Sequence, residues 1–134
     1  MNPSTDHSPL FPQGDKAPAN YFTGAAWLRA LVPNDGVTNC QVTNVVFEAG
    51  ARTNWHTHQG GQILVVTEGT GYYQETGKPK QLLHKGDVVN IPPHVKHWHG
   101  ASVDSSFTHI AINPQAQNGA AEWLEPVNDE EYGS

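Results

Sequence analysis

The chain has 134 residues, seven Lys and Arg against thirteen Asp and Glu, and a formal net charge of −6. Its length suits one domain that buries about 70% of its extended surface on folding, and the shortage of basic residues excludes a phosphate-tracking nucleic-acid surface. Eight histidines in so weakly basic a chain are the anomaly, because neutral imidazole is the commonest protein metal ligand and a general base near neutral pH.

From the N-terminus, residues 1–20 are rich in Pro, Ser, Asn and Asp and are expected to form a flexible arm, leaving residues 21–134 as the single domain. Met1 to Pro12 lacks a basic start followed by an apolar run, so no secretory signal is expected. No segment is apolar for long enough to span a bilayer. A single cysteine, Cys40, excludes an intrachain disulfide and suits a reducing compartment, which places the protein in the cytoplasm as an expectation.

Beyond the arm, strand-length apolar runs follow one another: Trp27 to Val32, Cys40 to Phe47, Ile63 to Thr67, Tyr72 to Gln74, Gln81 to His84, Val88 to Ile91 and Phe107 to Ile112. Turn residues separate them, as in Pro33-Asn34-Asp35-Gly36, Glu68-Gly69-Thr70-Gly71, Thr76-Gly77-Lys78-Pro79 and Lys85-Gly86-Asp87. Many short strands with no long helical pattern predict an all-β sandwich or barrel. Only Gly119 to Tyr132 has room for a helical turn.

Successive side chains of a strand point to opposite faces. On that parity His56 and His58 share a face, as do Gln62, Leu64 and Val66; His97, His99 and Ala101; Phe107, His109, Ala111 and Asn113; and Thr43, Val45 and Phe47. If these faces point inward, they surround one pocket. Two histidines one residue apart place their imidazoles roughly 6–7 Å apart along the chain, a spacing that can chelate one ion. Gln62 can return across the Gln59-Gly60-Gly61 turn and offer its amide oxygen as a third ligand, or orient a ligand from behind. His97 would close the site from a distant strand. Ordinary strand histidines with hydrogen-bond partners are the alternative, but the spacing and ligand types favour a divalent metal: Mn(II), Fe(II), Ni(II) or Zn(II).

These residues carry a family resemblance. Gly50, five residues, His56-Thr57-His58, three residues, Gln62, six residues and Gly69 resemble the first cupin motif, with Gln62 where the family usually has Glu. Gly86, five residues, Pro92, then His94, two residues and His97 resemble the second, with His94 in place of the usual Gly and Ala101 where Asn is common. The resemblance implies a jelly-roll β-barrel with one divalent metal held by His56, His58, Gln62 and His97. Closer strings, among them Gly50-Ala51-Arg52-Thr53, Lys96-His97-Trp98-His99-Gly100, Thr108-His109 and Trp123-Leu124-Glu125-Pro126-Val127, resemble the manganese-dependent cupin hydroxynitrile lyases and the cupins associated with carboxymuconolactone decarboxylase-like domains.

That resemblance implies a metal-dependent lyase that cleaves or forms cyanohydrins, with Mn(II) as the first choice of metal. His109 is then the first candidate base, against a His merely satisfied inside the core, and His99 a second one that could instead orient His97 or a water. Thr43, Val45, Phe47, Leu64, Phe107 and Asn113 are expected to line the small-molecule pocket, Trp98 to pack away from it, His94 to sit near its rim at a strand-edge turn, and His84 and Cys40 to lie outside it. An iron-dependent dioxygenase and a non-catalytic small-molecule-binding cupin are the competing readings. A homodimer or homotetramer is expected, because exposed strand edges are commonly closed by association.

Overall fold

The computed structural model describes residues 9–134, so His7 and the start of the expected arm lie outside the described residues. Twelve strands and one short helix follow in chain order among the described residues. They are β1 (Asp15–Lys16), β2 (Phe22–Thr23), β3 (Ala26–Val32), β4 (Gln41–Phe47), β5 (Arg52–Thr53), β6 (His56–Thr57), β7 (Gln62–Glu75), β8 (Gln81–His84), β9 (Val88–Ile91), β10 (His97–Ala101), β11 (Phe107–Asn113), β12 (Glu122–Trp123) and α1 (Asp129–Gly133). All strand pairs are antiparallel. The all-β jelly roll expected from the sequence is the observed architecture. No helix is long and apolar enough to cross a membrane.

One layer runs β1-β3-β4-β11-β7, with β9 on the far side of β7; the other joins β7 to β8 and β10, and β10 to β5 and β6, with β2 and β12 at the rim. The strand β7 therefore belongs to both. Its first half pairs with β11 and β9 and its second half with β10 and β8. The sequence suggested a turn at Glu68-Gly69-Thr70-Gly71, but the strand is unbroken through it. The glycines bend the strand instead of ending it. Gly69 has φ +75°, and a side chain there would overlap the Ser106 carbonyl oxygen; one at Gly71 would strike the Gly100 carbonyl oxygen and the Phe107 ring. Glycine alone tolerates both the left-handed backbone and the close approach.

Parity holds where strands are covered on one side. In β11 burial alternates strictly, with Phe107, His109, Ala111 and Asn113 inward, and β7 does the same over Gln62, Leu64 and Val66. Phe47, Leu64 and Phe107 are fully buried in the core between the layers, and burying each such side chain stabilises the fold by about 1.5–3 kcal/mol. In β10 parity is masked because both faces are buried. Trp98, on its outer face, packs with Trp55, Val127 and Tyr132 and donates from Nε1 to Gln74 Oε1 at 2.9 Å.

The C-terminal segment supplies that cover. Asn128 caps α1 with a reciprocal capping box to Glu131, and the Tyr132 hydroxyl donates to the Ala101 carbonyl at 2.6 Å. The buried Arg52 guanidinium donates to the Val127 carbonyl at 2.8 Å and to Asp129 Oδ1 at 2.9 Å, with Tyr132 stacked 4.5 Å away. Asp129 is thus solvent-exposed and paired at once.

At the other end, the arm expected over residues 1–20 is not loose throughout. Asp15 and Lys16 pair with Leu28 and Trp27 of β3, Ala17 donates to the Ala26 carbonyl at 2.8 Å, and Gly14 lies against the Leu28 carbonyl. The backbone of β3 offers an open edge, and these polar residues satisfy it without needing an apolar pattern of their own.

Because β7 joins the two layers through Gly69, replacing that glycine should damage the whole barrel. We expect Gly69→Ala to lower the unfolding free energy by at least about 3 kcal/mol, read as a reduced midpoint in chemical denaturation. Gly77→Ala, at a position with φ +78° and no neighbour within 4 Å, should cost only about 1 kcal/mol. Equal effects at the two sites would contradict the role given to Gly69.

Candidate metal centre

The imidazoles meet because two short strands meet. Strand β6 pairs with β10 so that His56 stands directly opposite His97, and β12 brings Trp123 against the other side of His56. After His58 the chain reverses through Gln59-Gly60-Gly61 to open β7 at Gln62. Gly61 has φ +80°, and its missing side chain leaves room for the Ile91 carbonyl oxygen 2.7 Å from where Cβ would stand. The His58 carbonyl accepts from the amides of Gly61 at 3.3 Å and His94 at 3.0 Å, which fixes the reversal. His58 and Gln62 therefore face the same cavity despite lying on opposite sides of a turn.

Three rings are held by one device. His56 Nδ1 lies 2.8 Å from the carbonyl oxygen of Asn54, His97 Nδ1 lies 2.8 Å from that of Val95, and His58 Nδ1 contacts that of Ala120. Against a carbonyl, Nδ1 must carry the proton and donate. Each neutral ring then directs the lone pair of Nε2 inward, the tautomer used by ligands whose other nitrogen is fixed by an outer partner. The ring centroids are 4.3 Å apart for His56 and His97, 4.9 Å for His56 and His58, and 5.5 Å for His58 and His97. His56, His97 and His99 bring ligand atoms within 4.8 Å of one another.

These imidazoles are neutral at pH 7. Burial pushes the pKa of His97 down to about 4 and that of His109 to about 3, and holds His56 and His99 well below the usual histidine value, with neighbouring imidazoles adding to the effect at His56, His97 and His99. The His58 pKa is lowered by burial as well. A neutral ring has one N–H, so His97 cannot donate to both Val95 and Gln62. Its Nε2 lone pair instead faces Gln62 Oε1 at 3.2 Å, while Gln62 Nε2 donates to Asn113 Oδ1 at 3.0 Å. Two acceptors directed at one another call for a cation between them. The buried Nε2 of His58 likewise has no hydrogen-bond partner and is costly unless something binds it; the Nε2 of His99, a residue of the cavity floor, also has none and is left for whatever enters the cavity. The donor set thus fits a divalent ion, and its clustered His residues include no carboxylate among the described residues.

A cavity of about 380 Å³ opens onto this cluster. His56, His58, Gln62 and His99 form its polar floor, and Phe22, Leu28, Val45, Ala111 and Trp123 much of its apolar wall. Of the expected lining residues, Thr43, Val45 and Asn113 reach the cavity. Phe47, Leu64 and Phe107 do not: Phe47 and Phe107 share the inward parity but pair with each other farther along the barrel, whereas Leu64 stands level with the cavity-lining Ala111 and is sealed in the core. His109, opposite Val45, does not reach the cavity either. It is fully buried, its ring centroid is 5.5 Å from those of both Phe47 and Phe107, and its Nε2 lies 3.0 Å from His99 Nδ1. It touches the cavity only through His99.

The wall also contains Phe22, Leu28, Gln41, Thr53, Ala120, Ala121 and Trp123, none of them expected there from the sequence. Gln41 could have been found, since it shares parity with Thr43 and Val45. Trp123 could not, because it arrives on a two-residue strand from a segment without periodicity; its ring stacks on Tyr21 at 4.8 Å and lies 4.7 Å from His56. His94, at φ +67°, and His84 are exposed, as expected.

Comparison with known proteins bears on the same segments. Residues 43–113 match the Cupin domain family. The chain is 43% identical over 117 residues to an (R)-mandelonitrile lyase of Granulicella tundricola, covering 87% of this chain and 89% of that protein. The crystal structure of a cupin-like protein of Thermotoga maritima superposes with a TM-score of 0.91 at 55% identity, over 93% of this chain and 95% of that one. A DMSP lyase of Ruegeria pomeroyi, at 19% identity and a TM-score of 0.66 over 83% of this chain and 55% of its own, shares the fold. With His56 and His97 both inside the matched stretch and brought opposite each other in a jelly roll, the chain belongs to the cupin family.

Proposed function

We propose that this cupin is a metal-dependent lyase of the hydroxynitrile type, which cleaves and forms cyanohydrins. The observation that carries the reading is the unpartnered Nε2 of His99, a residue that lines the cavity beside the imidazoles of His56 and His97. The likeness to a mandelonitrile lyase supports the choice of substrate class. His56, His58, Gln62 and His97 would hold the ion, Mn(II) first, with Fe(II), Ni(II) or Zn(II) also suited to this donor set. When bound, the ion supplies Lewis acidity toward a substrate oxygen, undiminished by any carboxylate ligand.

The remaining chemistry falls to the chain. His99 accepts the hydroxyl proton of the cyanohydrin; the carbon–carbon bond then breaks, its electron pair leaves with cyanide, and the proton on His99 is returned to give hydrogen cyanide and an aldehyde. For this, His99 Nε2 must present a lone pair, which requires His99 Nδ1–H to donate to His109 Nε2. His109 is thereby a positioning residue that sets the tautomer of His99 and shares its charge, a role that replaces the direct contact expected from strand parity. The apolar wall formed by Phe22, Leu28, Val45 and Trp123 suits a small aryl or alkyl group and excludes water from the developing charge.

Purified protein supplied with manganese should release cyanide from mandelonitrile. His99→Ala should lower kcat by about 10²–10⁴-fold with metal content unchanged. Absence of metal-dependent cyanide release from both mandelonitrile and an aliphatic cyanohydrin would refute the assignment, and iron-dependent oxygen uptake in its place would mark an oxygenase.

Acid should unfold the metal-free protein through the same imidazoles. In the unfolded chain they titrate near ~6.5, whereas in the fold His97 and His109 resist protonation until about 4 and about 3. The unfolded state therefore binds more protons throughout that window. Stability is full above ~6.5 and falls with pH toward 3, by up to about 1.4 kcal/mol per pH unit for each such group. Denaturant midpoints of chelator-treated protein between pH 8 and 4 measure this; a midpoint unchanged down to pH 4 would contradict the buried neutral state.

A further inference from the structure

Three amides lie in a row across three adjacent strands. Gln62 begins β7, Asn113 ends β11 and Gln41 begins β4, with Asn113 and Gln41 in register across their pair. Gln62 Nε2 donates to Asn113 Oδ1 at 3.0 Å, and Asn113 Nδ2 donates to Gln41 Oε1 at 3.2 Å. Gln62 and Asn113 are buried and Gln41 lies at the cavity wall. A chain of amides has two possible senses, because each group can turn its oxygen or its NH2 toward the next. Only one of them directs the Gln62 oxygen at His97.

We propose that Asn113 and Gln41 are positioning residues for the metal centre, forming a one-way relay that commits the Gln62 oxygen to the ion. The proposal rests on the ligand set given above and goes beyond it. An amide ligand differs from a carboxylate in that one of its two ends is a donor, which repels a cation. The NH2 of Gln62 must be held away by an acceptor, and Asn113 Oδ1 is that acceptor; Asn113 keeps its oxygen toward Gln62 because its own NH2 is taken by Gln41 Oε1. The Gln41 NH2 is left as the last donor of the relay, at the cavity wall, available to an acceptor such as a nitrile or carbonyl group. With His97 Nε2 as a bare acceptor, the opposite sense would satisfy His97 and the links between the three amides without metal. Loading the ion and setting the relay are therefore one event.

A carboxylate at position 62 would need no such commitment, and this separates the relay from general packing. Affinity for Co(II) and Zn(II), measured by competition with a chelating dye and without substrate, should fall about tenfold or more for Asn113→Leu and by less, in the same direction, for Gln41→Leu. Asn113→Asp, which keeps the acceptor, should retain affinity. Combining Asn113→Leu with Gln62→Glu should abolish most of the penalty for changing residue 113. Each variant is first checked for cooperative unfolding. Unchanged affinity in Asn113→Leu, equal loss in Asn113→Asp, or an equal penalty for Asn113→Leu in the Gln62 and Gln62→Glu backgrounds would overturn the relay. A wild-type protein that binds neither ion would overturn the metal centre itself, whereas failure of cyanohydrin cleavage would leave these affinities unaffected.

Discussion

Two backbone carbonyls, those of Asn54 and Val95, decide what the centre of this barrel can do. Each accepts the Nδ1 proton of the histidine two residues further on, and so turns a side chain with two chemically distinct nitrogens into one with a single inward lone pair. Without that tether a buried imidazole could satisfy itself by rotating or changing tautomer. With it, His56 and His97 must present acceptors to each other's neighbourhood, and the burial that keeps them uncharged makes the centre receptive to a cation. Burial and tautomer control here are two parts of one constraint.

The rest of the fold serves to keep β6 and β10 in register. Strand β10 is buried on both faces, inward by the histidines and outward by Trp98 under the C-terminal segment. The Tyr132 hydroxyl on the Ala101 carbonyl and Arg52 on the Val127 carbonyl pin that segment down. The exposed ion pair of Asp129 adds little to this; the buried stacking of Tyr132 and the guanidinium's carbonyl contact are better placed to matter. On the other flank, β7 carries Gln62 at its start in one layer and pairs with His97 at its end in the other. The bend at Gly69 thereby links the two sets of polar groups through one continuous backbone.

Polarity inside the barrel is graded along its axis. At the open end, imidazoles, three amides, Thr43 and Thr53 border the cavity or stand just behind it; deeper in, Phe47 and Phe107 close the layers against each other. His99 and His109 sit where one regime passes into the other. Their 3.0 Å contact carries a hydrogen bond from the polar cavity floor into the apolar core. His109 can therefore influence the cavity while remaining out of reach of anything bound there.

Much of this was legible in the chain. The motif spacing around His56, His58, Gln62 and His97 marked a jelly roll with a possible metal centre, and period-two alternation assigned the inward faces of β4, β7 and β11, because a strand's side chains alternate whatever lies around them. Parity specifies a face but neither a depth nor the neighbours that cover a side chain, so Phe47, Leu64, Phe107 and His109 share the pocket's parity while packing between the layers keeps them out of its wall. The glycines at 69 and 71 read as a turn because a left-handed residue serves a tight reversal and a bent strand equally well; the proximity of Ser106 and Gly100 chose the bent strand. Trp123, Ala120 and the edge pairing at Asp15 and Lys16 had no local signal, since each depends on a partner distant in sequence. The amino-acid sequence by itself determined which groups could hold a metal; the tertiary structure decided which nitrogen of each ring faces the centre, which histidine meets the cavity and which amides stand behind Gln62, because those are matters of distance between strands.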